Sequence, residues 1–151
     1  MVKRTKAGLV ILVTLVVASL ARGIGKDVAR SAMGRTATPS AAVGSEAYMM
    51  QVASIANKSL PMTVGKDTEL VSVVGADHLL VFNHRVINFQ IDEIAADQIT
   101  LRRPRLVNHV CTTPETRDGL LQRGITMRYR YADRNMVHIT SIDVAPSDCG
   151  F

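Results

Sequence analysis

Two cysteines, four histidines and a scatter of carboxylates are the side chains of this 151-residue sequence best suited to chemistry, and their spacing limits what that chemistry can be. His109 and Cys111 stand two residues apart, with His78, His84 and His138 elsewhere in the chain. Zinc sites draw on paired ligands at metal spacing, and a single His-x-Cys lacks the second pair. Residues two apart seldom bring an imidazole and a thiol together for proton transfer, so His109 and Cys111 do not read as a catalytic dyad. The serines sit in no Gly-x-Ser-x-Gly elbow, and no glycine-rich loop is built to hold phosphate. The adjacent Asp92 and Glu93 fall in an expected turn, open to solvent. No catalytic residue, metal ligand or cofactor is therefore assigned, and the chain is read as a non-enzyme. A small enzyme using His109 or Asp133 is kept as a lesser alternative.

The cysteines take their meaning from the N-terminus. Lys3, Arg4 and Lys6 precede an apolar run from Leu9 to Ala18, interrupted by Thr14, and Ser19-Leu20-Ala21 places small residues before a cut at Ala21–Arg22. Positive charge, apolar stretch and small residues in that order are what a secretion machine reads. The stretch falls short of the roughly 20 residues that span a bilayer comfortably, so residues 1–21 read as a signal peptide, with an uncleaved anchor as the alternative. In an oxidising compartment an even cysteine count favours a disulfide, and Cys111 is expected to pair with Cys149. The expected location is the periplasm, or the inner membrane with the domain on its periplasmic side; membrane contact is expected only if the segment stays uncut.

Charge argues against nucleic acid as a partner. The formal charge is +5, yet from Ala41 onward there are eleven Lys/Arg against twelve Asp/Glu. A nucleic-acid reader carries its basic excess on the folded surface. Here the excess lies in residues 1–21 and in the small, polar, basic stretch 22–43, which reads as a linker.

The elements that must position the remaining residues follow from period and punctuation. Ser45 caps a helix with Glu46 in its first turn. Tyr48, Val52, Ile55 and Ser59 share one face, Met49 and Ala56 lie beside it, and Leu60-Pro61 ends it. Two strand-like runs follow, Thr68 to Ala76 and His78 to Gln90, joined by a hairpin at Gly75-Ala76-Asp77 and with Leu80, Phe82 and Val86 facing inward. Ile91 to Ile99 reads as a turn leading into helix. Pro104 starts a helix running to about Cys111; Thr113, Pro114 and Glu115 start another, with Leu120-Leu121 buried and Gly124 as its stop. Two alternating runs, Ile125 to Tyr131 and Val137 to Val144, make an antiparallel hairpin in which Asn135 is the residue expected at positive φ. The fold class is α+β: an N-terminal helix and one or two middle helices on an antiparallel sheet of four or five strands, in one domain from 44 to 151.

Asn57, Leu60-Pro61, Asp67-Thr68-Glu69-Leu70, Cys111-Thr-Thr-Pro-Glu-Thr-Arg117, Leu120-Leu121, Gly124, Tyr129-Arg-Tyr131-Ala-Asp133 and Cys149 follow an order that resembles small exported bacterial domains and, more distantly, the pilotins of type II secretion systems. The resemblance covers about residues 45–150. It implies a helix before an antiparallel sheet, a bridge from Cys111 to Cys149, and an escort role toward secretin subunits. Pilotins of that kind carry a lipidated cysteine at the cleavage site, where this chain has Ala21-Arg22.

The expected function is that of an exported accessory or assembly factor binding another envelope protein through a sheet edge or a helix-lined groove. A periplasmic inhibitor or immunity-type protein is the alternative, using Asn83 to Asn88 or Asp92 to Asp97 as a protruding loop. Tyr129 and Tyr131, which alternate onto one strand face, are expected to pack with their hydroxyls at the core's edge; with Arg102, Arg103 and Arg105 they form the candidate partner surface.

Overall fold

The structure, a computed structural model, describes residues 41–88, 99 and 101–151. The signal segment, its cleavage site at Ala21–Arg22, most of the linker and the expected turn over 91–98 lie outside the described residues.

Helix α1 spans Glu46–Asn57 and opens where the sequence says it should: the Ser45 hydroxyl accepts from the Tyr48 N–H at 3.4 Å. Its buried face is Met49, Val52, Ala53 and Ala56, rotated from the stripe through Tyr48 and Ile55, because the small Ala53 and Ala56 let the helix lie close to the sheet. Met50 is left exposed. The helix ends at Asn57, before Leu60-Pro61, as the Asn57 carboxamide turns onto strand backbone. It donates to the Val73 carbonyl and accepts from the Val73 N–H, both at 2.8 Å.

Five strands follow: β1 (Met62–Gly65), β2 (Thr68–Ala76), β3 (Leu79–Val86), β4 (Thr126–Ala132) and β5 (His138–Val144). They lie in sequence order across one sheet. Hairpins join β1 to β2, β2 to β3 and β4 to β5, and each of these pairs is antiparallel. The central pair, β3 with β4, is parallel. The reason lies in the connection, since a strand can run parallel to its neighbour only after a crossover. Residues between them include α2 (Arg103–Thr112), α3 (Pro114–Arg117) and a 3₁₀ turn at Leu121–Arg123. Gly124 ends that turn at φ 78°, while the helix expected to run from Pro114 to this glycine stops short at Arg117.

Burial alternates along β3, with Leu80, Phe82, His84 and Val86 inward. Met127 and Tyr129 of β4, and Ile142 and Val144 of β5, face the same side. Together with α1, Val110 of α2 and Leu121, they form the core. Helix α1 lies so close to β2 that a Cβ added at Gly75 would collide with the Met49 carbonyl.

The β4–β5 turn departs from expectation. Met136, not Asn135, takes positive φ, at 66°. Asp133 is the cause: buried to 1% exposure, its carboxylate accepts from the N–H groups of Asn135 and Val137 at 2.8 and 2.9 Å. That fixes a longer turn whose reversal falls one residue later.

Candidate functional site

The sequence-predicted surface residues divide between core, strap and solvent. Parallel register sets Phe82 beside Tyr129 and His84 beside Tyr131, building an aromatic column on the core side. Phe82 and Tyr129 stack at 5.2 Å between centroids, His84 and Tyr129 at 5.9 Å, and His84 and Tyr131 at 5.0 Å. Tyr129 is 3% exposed and does not reach the surface. Its hydroxyl is buried without a hydrogen-bond partner, and loss of water pushes its pKa up. Tyr131, at the end of the column, is partly buried; burial raises its pKa while the nearby Arg102 charge opposes that. Arg102 and Tyr131 are thus brought to one place, where the core meets solvent.

His84 is the unexpected member. Burial lowers its pKa from 6.5 to about 4, against hydrogen bonds to the backbone at Phe82 and Arg130. Its Nδ1 lies 3.1 Å from the Phe82 carbonyl. An imidazole kept neutral and stacked between two tyrosines is a packing element. No pattern in the sequence marks it, beyond its inward parity with Leu80 and Phe82.

The three arginines at the start of α2 differ in task. Arg103 donates to the Asp148 carboxylate at 2.8 Å and to the Asp143 carbonyl at 3.3 Å, strapping the helix to β5 and to the 3₁₀ turn at Pro146–Cys149. The N–H of Ala145 and then Arg103 hold Asp148 below the usual carboxylate range. Arg102 and Arg105 are exposed. At the other end of α2, Cys111 is joined to Cys149, with 5.3 Å between Cα atoms. The Cys111 sulfur is thereby committed to structure, and His109 beside it has no thiolate to share.

The other candidates are dispersed. His78 sits at φ 51° in the β2–β3 turn, with its ring against Gly44. His138 opens β5, its Nε2 3.0 Å from the Ser141 hydroxyl. Asn83 to Asn88, expected as a protruding loop, is instead mostly strand β3 inside the sheet; Asp92 to Asp97 lie outside the described residues. Among the described residues no group of three or more His, Cys, Asp or Glu is arranged to hold a metal.

Away from the core, the sheet carries cross-strand polar pairs. Arg85 meets Glu69 at 2.6 Å and Asn83 meets Ser72 at 3.0 Å. Arg128 makes a two-pronged contact with its cross-strand neighbour Asp143, at 2.8 and 2.7 Å. That contact raises the Arg128 pKa and holds Asp143 below the carboxylate range. Two residues on, Arg130 stands opposite Ser141 and is exposed. Sequence reading passed over both, although the alternation Arg128-Tyr-Arg130-Tyr puts the arginines on one face.

No protein-family model and no curated protein matches this sequence. Solved structures do share its fold. A secreted-protein structure from Pseudomonas aeruginosa superposes with TM-score 0.58 at 16% identity, covering 69% of this chain and 91% of its own. The type 2 secretion system pilotin EpsS of Vibrio vulnificus gives 0.56 at 15%, over 70% and 92%. The type II secretion system pilotin AspS of Vibrio cholerae gives 0.53 at 14%, over 69% and 91%. The chain therefore has the α+β fold of these proteins, with five strands and a disulfide. No helix among the described residues is long and apolar enough to cross a membrane.

Proposed function

We propose that this chain is an exported, non-catalytic assembly factor that binds another protein of the cell envelope, of the kind that serves a secretion system. The observation that carries this reading is the shared fold with two pilotins over nine-tenths of their lengths. Two features of the chain support it. Residues 1–21 have the order of a signal peptide cut at Ala21–Arg22, which supports a periplasmic location for the domain from 44 to 151. Three of the side chains suited to chemistry, His84, Asp133 and Cys111, are engaged in a stack, a turn and a disulfide.

The test is co-purification of the full chain, tagged at its C-terminus, from envelopes of the producing cell. A secretion-channel subunit should be retained by the wild-type protein and should mislocalise when the chain is deleted. Normal channel assembly in the deletion strain, or turnover of an envelope substrate that is lost on changing His109 or Asp133 in a folded protein, would refute the reading.

A further inference from the structure

The two edges of the sheet are closed to different degrees. On one side the outer strand is β1, four residues long, and past its end the Asn57 carboxamide occupies both backbone groups of Val73 on β2. On the other side is β5, seven residues long, and among the described residues it pairs with β4 alone. The Asp143 carbonyl accepts from Arg103, so Asp143 turns its backbone away from β4. Ser141, two residues earlier, has the same orientation because strand residues alternate. Its N–H and C=O therefore face outward along the edge, where an extended segment can add as a further strand.

Charge says what kind of segment. Arg85 and Arg128 each have a carboxylate on the adjoining strand, Glu69 and Asp143. Arg130 occupies the next position along β4 on the same face, and opposite it Ser141 supplies no carboxylate. Ser141 is small, so the Arg130 side chain can reach over it toward a neighbour beyond β5. Arg102 and Arg105 add the same sign, and residues 101–151 hold eight arginines against five carboxylates. Opposite charges on adjacent strands stabilise pairing and select partners.

We infer that the β5 edge at Ser141 is a docking site for an extended acidic segment of a partner protein, added as a sixth strand with one carboxylate meeting Arg130. This deepens, and rests on, the reading of the chain as a partner-binding factor.

The probe is a library of random dodecapeptides displayed on phage, selected against the oxidised, exported protein. Peptides with Asp or Glu alternating with β-branched residues should be enriched. Binding of the best synthetic peptide should fall at least tenfold in Ser141→Pro, whose lost N–H belongs to no ladder bond within the sheet. It should fall similarly in Arg130→Glu, and a peptide with its acidic residues exchanged for lysine should recover binding to Arg130→Glu. Circular dichroism checks that both variants fold. An unenriched library overturns the proposal, as does a selected peptide whose affinity changes less than twofold in both variants. Binding to phosphatidylglycerol vesicles but to no peptide, lost in Arg130→Glu, assigns the arginine to lipid headgroups and also overturns it. If a secretion-channel subunit co-purifies undiminished with both variants, the assembly-factor reading stands and this edge is not its docking site.

Discussion

Breaking the bond between Cys111 and Cys149 should cost this protein a large part of its stability, and the size of the loss follows from where the bond lies. The two cysteines are 38 residues apart in sequence, and the loop they close contains α3, β4 and β5. Constraining a loop of that length in the unfolded chain is worth about 4 kcal/mol by the chain-entropy relation. Arg103 with Asp148 crosses nearly the same gap, but Arg103 is 44% exposed, and exposed ion pairs contribute on the order of 0–1 kcal/mol. The covalent link therefore dominates. A domain of this size has a total stability of about 5–15 kcal/mol, so the double variant Cys111→Ala/Cys149→Ala should be marginal and should melt roughly 15 °C lower. With no tryptophan in the chain, far-ultraviolet circular dichroism in a urea titration is the suitable assay. The reduced chain should also show a steeper denaturant dependence, because its unfolded state is more expanded. A loss below about 1 kcal/mol would refute the entropic account. Exported protein in which both cysteines alkylate without reductant would refute the bond itself.

Three further outcomes follow from the core. His84 has a folded pKa of about 4 against 6.5 for the ordinary side chain. The unfolded state thus takes up the proton first, and stability complete above pH 6.5 is lost as pH falls toward 4, by about 3 kcal/mol. His84→Phe keeps the stack and should remove that share of the pH dependence; equal urea midpoint shifts between pH 7 and 4.5 in both proteins would contradict the assignment. Gly75→Ala sets a methyl group into the Met49 carbonyl and should destabilise by about 3 kcal/mol through overpacking; an unchanged melting temperature would mean that α1 does not lie against β2 as described. Asn57→Ala removes both bonds to Val73 and should cost about 2 kcal/mol, with faster amide hydrogen exchange at Val73, and the absence of that local change would count against the contact.

Much of this fold was legible in the chain because its punctuation is local. Ser45 as a cap, Gly124 as a stop and the alternation through Tyr129 and Tyr131 each depend on a few neighbouring residues. The parallel pairing of β3 with β4 was not legible, since alternation marks which residues share a face and says nothing of strand direction. The same blindness governs the site. Period two puts Tyr129 and Tyr131 on one face and Arg128 and Arg130 on the other, but which face is wet depends on where the helices pack. Reading the tyrosines as partner surface therefore misplaced Tyr129, and the exposed arginine beside it went unnoticed. The buried roles of His84 and Asp133 were not legible for a related reason: polar residues inside a core are recognised only through the partners that satisfy them.

The polar side chains of the described residues mostly serve internal ends. Asn57 closes an edge, Asp133 ties a turn, Arg103 straps a helix, and Arg85 and Arg128 neutralise carboxylates across the sheet. Set among these, Arg130 breaks a pattern that its own strand establishes. Its neighbour Arg128 has Asp143 at the matching position, while Arg130 has a serine. A charge on the strand next to a sheet edge can serve simply to discourage aggregation at that edge, and in that role any cation would do. A docking role makes the sharper demand that the sign of the partner's charge matter at this one position. Reversing Arg130 and the peptide together separates the two: a guarding charge gives no recovery of binding, whereas a docking contact does.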